Sequence, residues 1–157
     1  MQIGSNAWVP SGILGIVLLL GLPQPAGATS AMYWTEEEQA RHSTAVVLAQ
    51  VHERIPMEVA AHQRPMQQTR ILVDEVLYGD APEQVHILQI GGSRDGISTT
   101  LPGDGKLNKG EHLLLFLYED KGDWYLTALS QSVYRLVQNN GGTLLERELN
   151  LDLYQRN

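Results

Sequence analysis

Beyond residue 43 the chain is written in short runs of alternating apolar and polar residues, separated by clusters of turn formers. In TAVVLAQVHE (44–53), Val47, Ala49 and Val51 fall on one face and Val46, Leu48, Gln50 and His52 on the other. A period of two predicts a half-buried strand. TRILVDEVLYG (69–79) sends Ile71, Val73 and Leu77 to one side, with Glu75 as the interruption. QVHILQI (84–90), ISTTL (97–101), HLLLFLYE (112–119), WYLTAL (124–129) and SVYRLVQ (132–138) repeat the texture. All are short, rich in β-branched and aromatic residues, and bounded by Gly, Pro, Asp or Asn. His112–Leu117 is almost continuously apolar, which predicts a central strand covered on both sides. YGDAPE, EDKGD and QNNGG supply turns. Residues 54–68 form the one long connection between early strands.

Two segments depart from this rhythm. TEEEQARHS (35–43) opens with a capping box: Thr35 can accept from the N–H of Glu38, whose carboxylate can reach back to Thr35. Three glutamates in the first turn suit the helix dipole, so one short helix is expected here. At the C-terminal end, Leu149, Leu151 and Leu153 alternate as in a strand, while Leu145, Leu149 and Leu153 also fit a helix face. The strand reading is favoured. Six or seven short strands at this spacing predict a mainly β fold, a small closed or nearly closed antiparallel barrel, with a sandwich as the alternative.

Composition adds a compartment. Residues 1–28 contain no Asp, Glu, Lys or Arg, and an apolar run from Gly12 to Leu22 is followed by Pro23, Pro25 and Ala26-Gly27-Ala28. A short apolar run, a helix breaker and small residues before the cut predict a signal peptide over 1–28, cleaved after Ala28. Spanning a bilayer takes about 20 apolar residues, roughly twice this run. Residues 29–157 are then expected to be a single exported domain, periplasmic or extracellular, with its core over 43–138 and no stable membrane insertion after cleavage. The chain carries a net charge of −7 and no cysteine. A disulfide framework and a thiolate metal site are excluded, and an acidic surface argues against nucleic acid as a partner.

The glycine-rich stretch QIGGSRDGISTTLPGDGKLNKGEHLLLFLYED (89–120) is the natural place to seek chemistry. A phosphate loop fails, because Leu107 follows Gly105-Lys106 where Ser or Thr is needed, and Thr100 stands where the first Gly belongs. A nucleophile elbow fails, because Asp95 lies two after Ser93. A calcium loop starting at Asp104 meets Lys106 at its third position and Leu115 at its twelfth. The five histidines (His42, His52, His62, His86, His112) are never closer than ten residues, so no sequence-local metal pair exists. No catalytic, cofactor or metal residue is assigned. The glycines read as architecture: Gly91-Gly92 permit a bend, Pro102-Gly103 a turn, and Gly110 a turn before the central strand.

The order HSTAVVLAQV, ILVDEVLYGD, GGSRDG, LNKGEHLLLFL and WYLTALSQSVYRLV resembles a group of uncharacterised exported bacterial proteins. Their outline is similar to five-stranded oligonucleotide-binding-type barrels, especially the netrin/tissue-inhibitor-of-metalloproteinase-like branch. The resemblance covers about residues 43–138, with GEHLLLFL (110–117) and VDEVLYGD (73–80) its most specific parts. Tyr78 stands where that pattern has lysine, Ala49 where glycine is common, and Ser132 where a glycine follows glutamine. The inhibitors of that branch chelate zinc through an N-terminal cysteine, which this chain lacks. The resemblance therefore implies a fold and not an activity.

These readings converge on an exported non-catalytic binding module whose partner is another exported or envelope protein. Two alternatives stay open: a protease-inhibitor-like partner, and a small-ligand-binding or enzymatic protein whose site is formed only by the fold. A pocket with convergent polar groups would favour the last, a flat apolar patch the others. Within the long 54–68 connection, Met57, Arg64 and Met66 are the residues assigned to partner contact, since Met and Arg are enriched at interfaces.

Overall fold

A computed structural model describes residues 31–57, 65–94, 97–147 and 154–155 of the chain. The expected signal segment 1–28, its cleavage point and Arg64 lie outside the described residues. The elements in order are β1 (Ala31–Met32), α1 (Glu36–His42), β2 (Ala45–Met57), β3 (Met66–Gly79), β4 (Gln84–Arg94) and β5 (Ile97–Thr100). There follow β6 (His112–Asp120), β7 (Asp123–Leu126), a 3-10 turn (Leu129–Ser132), β8 (Val133–Asn139), β9 (Gly142–Glu146) and β10 (Tyr154–Gln155). The described residues are mainly β with one short helix, as the hydrophobic pattern predicts.

Five strands close into a barrel-like ring. β2 pairs antiparallel with β3, and β3 with β4; β4 lies parallel to β7; β7 pairs antiparallel with β6, and β6 with β2. β5 folds back on the end of β4, β8 and β9 extend the sheet from β6, and β1 meets β10 in a separate short parallel pair. The inner face of the ring carries Val47, Ala49, Val51, Ile71, Val85, Ile87, Leu113, Leu115 and Leu117, all essentially inaccessible to water. Each such side chain contributes about 1.5–3 kcal/mol of transfer free energy. β6 is covered on both sides as expected, because Phe116 packs outward against Val46 and Tyr134 while Ala40 of α1 rests on that cluster.

α1 forms where the capping box predicts, with Thr35 and Glu38 bonded reciprocally. What fixes it to the ring is polar. Gln39 is fully buried; its amide nitrogen donates to the Trp34 carbonyl, and its amide oxygen accepts from the Ser132 hydroxyl. The same Ser132 oxygen accepts the N–H of Ala128, so this serine ties the 3-10 turn to the helix. Gln131 accepts from the Trp34 N–H and donates to the Met32 carbonyl. Arg147 adds a second tie, donating to the hydroxyls of Tyr33 and Tyr134 and lying over both rings.

Three sequence expectations change. The 54–68 connection is strand at both of its ends: β2 runs on to Met57 and β3 begins at Met66, where the two residues pair. Backbone pairing along an early hairpin outweighs the weaker side-chain pattern there, and residues 58–64 lie outside the described residues. Leu77 points to water, 48 % exposed, because the β2–β3 pairing skips it between Val76 and Tyr78. A β-bulge takes one residue out of the alternation. WYLTAL does not stay extended to residue 129. β7 stops at Leu126, Leu129 takes a left-handed conformation (φ 54°), and the 3-10 turn follows before β8 resumes pairing with β6. Of the C-terminal run, β9 and β10 are strands, and residues 148–153 lie outside the described residues.

Candidate functional site

The ring closes unequally, and the site lies at its weaker closure. β4 and β7 share a single pair, Ile87 with Trp124. Beyond it β4 continues along β3 as far as Ile90 opposite Met66, while β7 ends and the chain swings out through residues 127–132. That excursion replaces a single residue of the partner strand: Thr127 N–H still reaches Phe116 O, and β8 rejoins β6 at Val133 opposite Leu115. Two strands that start together and then part leave a cleft between them.

The cleft is a cavity of about 510 Å³. Leu88 and Ile90 form its β4 wall, Tyr125, Leu126 and Leu129 its opposite wall, and Leu101 and Asp104 its end. Met66 at the start of β3 and Tyr118 of β6 complete it. Tyr118 and Tyr125 are cross-strand partners whose rings stack 5.1 Å apart, giving the rim an aromatic side. Burial, and after it the neighbouring Asp123, pushes the Tyr125 phenol above its ordinary pKa, so this ring stays neutral. The left-handed Leu129 belongs to the same wall; a non-glycine residue held there costs about 1–2 kcal/mol, and such strain gathers at sites that need a fixed shape.

Two polar side chains converge on this apolar space. Gln89 is buried, accepts from the Thr69 hydroxyl at 3.2 Å and donates to the Gly105 carbonyl at 2.7 Å. Asp104 accepts the Gly105 N–H at 2.9 Å. Burial raises the Asp104 carboxyl above the ordinary carboxylate range, against the lowering effect of its bonds to Gln89 and Gly105 and of the Arg54 charge. The loop carrying Asp104 is held by packing, since a Cβ on Gly105 would come within 2.6 Å of Leu126 Cδ1 and 2.7 Å of Val133 Cγ2. Ser130 N–H also donates to the Gly103 carbonyl, locking this loop to the 3-10 turn.

A second, smaller cavity of about 240 Å³ adjoins the first and shares Ile90, Leu101 and Asp104 with it. Its far side carries Arg54, Lys106 and the backbone of Gly91-Gly92, both glycines at positive φ. Both take the positive φ that glycine permits, and β4 continues through the pair to Arg94.

Of the residues assigned to partner contact, Met57 and Met66 are brought together as a strand pair, both half-buried, and Met66 also lines the larger cavity. The sequence singles out neither Gln89 nor the two tyrosines, and it offers Asp104 only as the start of a calcium loop that fails. A faint signal existed for the tyrosines, as polar-tipped aromatics at facing ends of two adjacent strands. For Gln89 and Asp104 there was none, because their convergence depends on how far β4 and β7 part. No protein-family model, curated protein or solved structure matches this chain.

Proposed function

We propose that this protein is an exported, non-catalytic binding module that takes an apolar group into the cleft between β4 and β7. One observation carries the reading: an apolar cavity of about 510 Å³ with two convergent polar side chains, Gln89 and Asp104. Sites for small molecules have this size and this mixture of apolar wall and few fixed polar groups. Among the described residues no three His, Asp or Glu side chains converge to hold a metal. A net charge of −7 makes a nucleic acid a poor occupant. Export rests on the signal-like segment 1–28, and no helix among the described residues is long and apolar enough to cross a membrane.

The test is a fluorescence titration with the neutral apolar dye N-phenyl-1-naphthylamine. Saturable one-to-one binding is expected, and Leu101→Trp, which fills the cavity from a half-buried loop position, abolishes it while leaving the melting temperature in place. Dye binding that is unsaturable, or indifferent to Leu101→Trp, removes the cleft as the site.

A second reading has its own observation. Met57 and Met66 pair at the end of the β2–β3 hairpin beside the cleft, so the apolar group can instead belong to another exported or envelope protein that grips this end. Met57→Ser combined with Arg64→Ser then abolishes capture of that protein and leaves dye binding unchanged.

A further inference from the structure

The two cavities differ in chemistry and join at one carboxyl group. The larger is walled by Leu, Ile, Met and Tyr, whereas the smaller offers a guanidinium, an ammonium and glycine backbone. Arg54 uses one nitrogen to donate to the Leu107 carbonyl at 2.9 Å, which fixes the head of an otherwise exposed side chain beside this cavity. Lys106 is exposed and forms no ion pair among the described residues. In a chain with 18 acidic and 11 basic residues, two cations on one small cavity, with Asp104 the sole carboxylate among the described residues of its wall, are a local reversal of sign.

From this juxtaposition we infer that the ligand is an amphiphilic monocarboxylate, its apolar body in the cavity between β4 and β7 and its carboxylate past Asp104, facing Arg54 and Lys106. The inference rests on the cleft being the binding site and adds the class of ligand. An apolar body gains by leaving water in the larger chamber, and a carboxylate gains charge-assisted hydrogen bonds in the smaller. A neutral apolar molecule would leave the cationic chamber unused. A polyanion would meet too few cations and an acidic surface around them.

Asp104 makes the proposal sharper, because it stands where the head must pass. Ionised, it repels a carboxylate; protonated, it donates a hydrogen bond to one. Its carboxyl is raised by burial, so Asp104 holds its proton to higher pH than an ordinary aspartate does. The charged groups facing it among the described residues are Arg54 from β2 and Lys106 from its own loop; Tyr118 and Tyr125, from β6 and β7, are the other titratable groups along the joined cavities. Gln67 and Gln89, from β3 and β4, are neutral. Affinity therefore rises as pH falls through the Asp104 transition.

Calorimetry with 1-naphthylacetate and its neutral amide tests this, because the pair share one apolar body and differ in the head. The acetate is expected to bind about tenfold more tightly than the amide. Its advantage should grow as pH falls through the Asp104 transition. Lys106→Gln, at an exposed position, should bring the acetate down to the amide, and Asp104→Asn should strengthen acetate binding at neutral pH and flatten its pH dependence. Equal affinity for the two heads, with both displaced by N-phenyl-1-naphthylamine, overturns the carboxylate assignment and leaves the cleft standing. Binding of the dye with neither naphthyl compound bound overturns it likewise. Failure of all three probes, with the protein folded by circular dichroism, removes the cleft itself.

Discussion

The ring is closed twice across long distances in sequence, and the two closures are unlike. Between β2 and β6 there are six consecutive antiparallel pairs, from Ala45 with Leu117 to Gln50 with His112. Apolar side chains cover both faces: Val47 and Leu115 inward, Val46 and Phe116 outward beneath α1. Between β4 and β7 there is one parallel pair, after which the strands part. Burial on both faces and continuous hydrogen bonding make the first seam a source of stability. The second gives up those pairs and gains a cavity with fixed polar groups. Stability and site are thus divided between opposite closures of one ring.

Substitutions at the two seams separate most widely in stability. Leu115→Ala removes a fully buried side chain from the sealed seam and should cost about 2–5 kcal/mol in urea unfolding. Leu88→Ala, beside the cavity, should cost about 1 kcal/mol, since its neighbours already face open space. Equal losses would break the comparison.

Gly79 sharpens it at the level of backbone. It pairs with Ala45 at the end of the sealed seam, at φ 73°, and a Cβ there would lie 1.9 Å from the Thr44 carbonyl oxygen. Gly79→Ala should cost about 2–3 kcal/mol by thermal unfolding. Gly110→Val, also left-handed (φ 86°) but with no atom within 4 Å of its Cβ, should cost less, about 1–2 kcal/mol, and leave dye binding intact. Loss of dye binding in a folded Gly110→Val would contradict the architectural role of that glycine.

The polar tie above the sealed seam comes next. Gln39→Leu leaves the Ser132 hydroxyl and the Trp34 carbonyl each short of a partner in a buried place, at about 1–2 kcal/mol. Hydrogen exchange should rise in α1 first while the β6 amides stay protected. Uniform exchange across both would mean that the helix and the ring are one cooperative unit.

Asp104→Asn gives the smallest effect and the one tied to pH. Asp104 has its folded-state carboxyl raised above the unfolded value, so the native state binds more protons between the two and loses stability as pH rises through the folded transition. The variant should therefore melt slightly higher than the parent at neutral pH. That gain should vanish as pH falls towards the ordinary carboxylate range. A gain that persists in acid assigns the effect to packing instead of charge.

Local features were legible in the sequence and relational ones were not. Thr35 with Glu38 lie three residues apart, and the helix start they encode is the one observed. The unbroken apolar run of β6 announces a strand buried on both faces, and positive φ at Gly103 and Gly110 follows from the turn chemistry around them. Leu77 was misassigned because a bulge is a property of two strands in register, visible only once Tyr78 and Val76 are set against Val46 and Val47. The cleft is harder still. Gln89 and Asp104 line the space where residues 127–132 leave the edge of β6, an excursion held by the Ser130 N–H on the Gly103 carbonyl and by the close fit of Leu126 and Val133 over Gly105.

The sealed seam also has a consequence in time. Its partners are about 70 positions apart, whereas β2 and β3 or β6 and β7 are neighbours that can pair as soon as their hairpins form. Closing so long a loop loses chain entropy before any of the six pairs returns it, and such contacts slow folding. Until that step is complete, β2 and β6 each present an apolar, unpaired edge, Ala45–Gln50 on one and His112–Leu117 on the other, to any second chain nearby. The segment that makes the finished molecule most stable is therefore the one most exposed to misassembly while it folds, and crowding of nascent chains should reduce the yield of native protein through β2 and β6 before any other pair of strands.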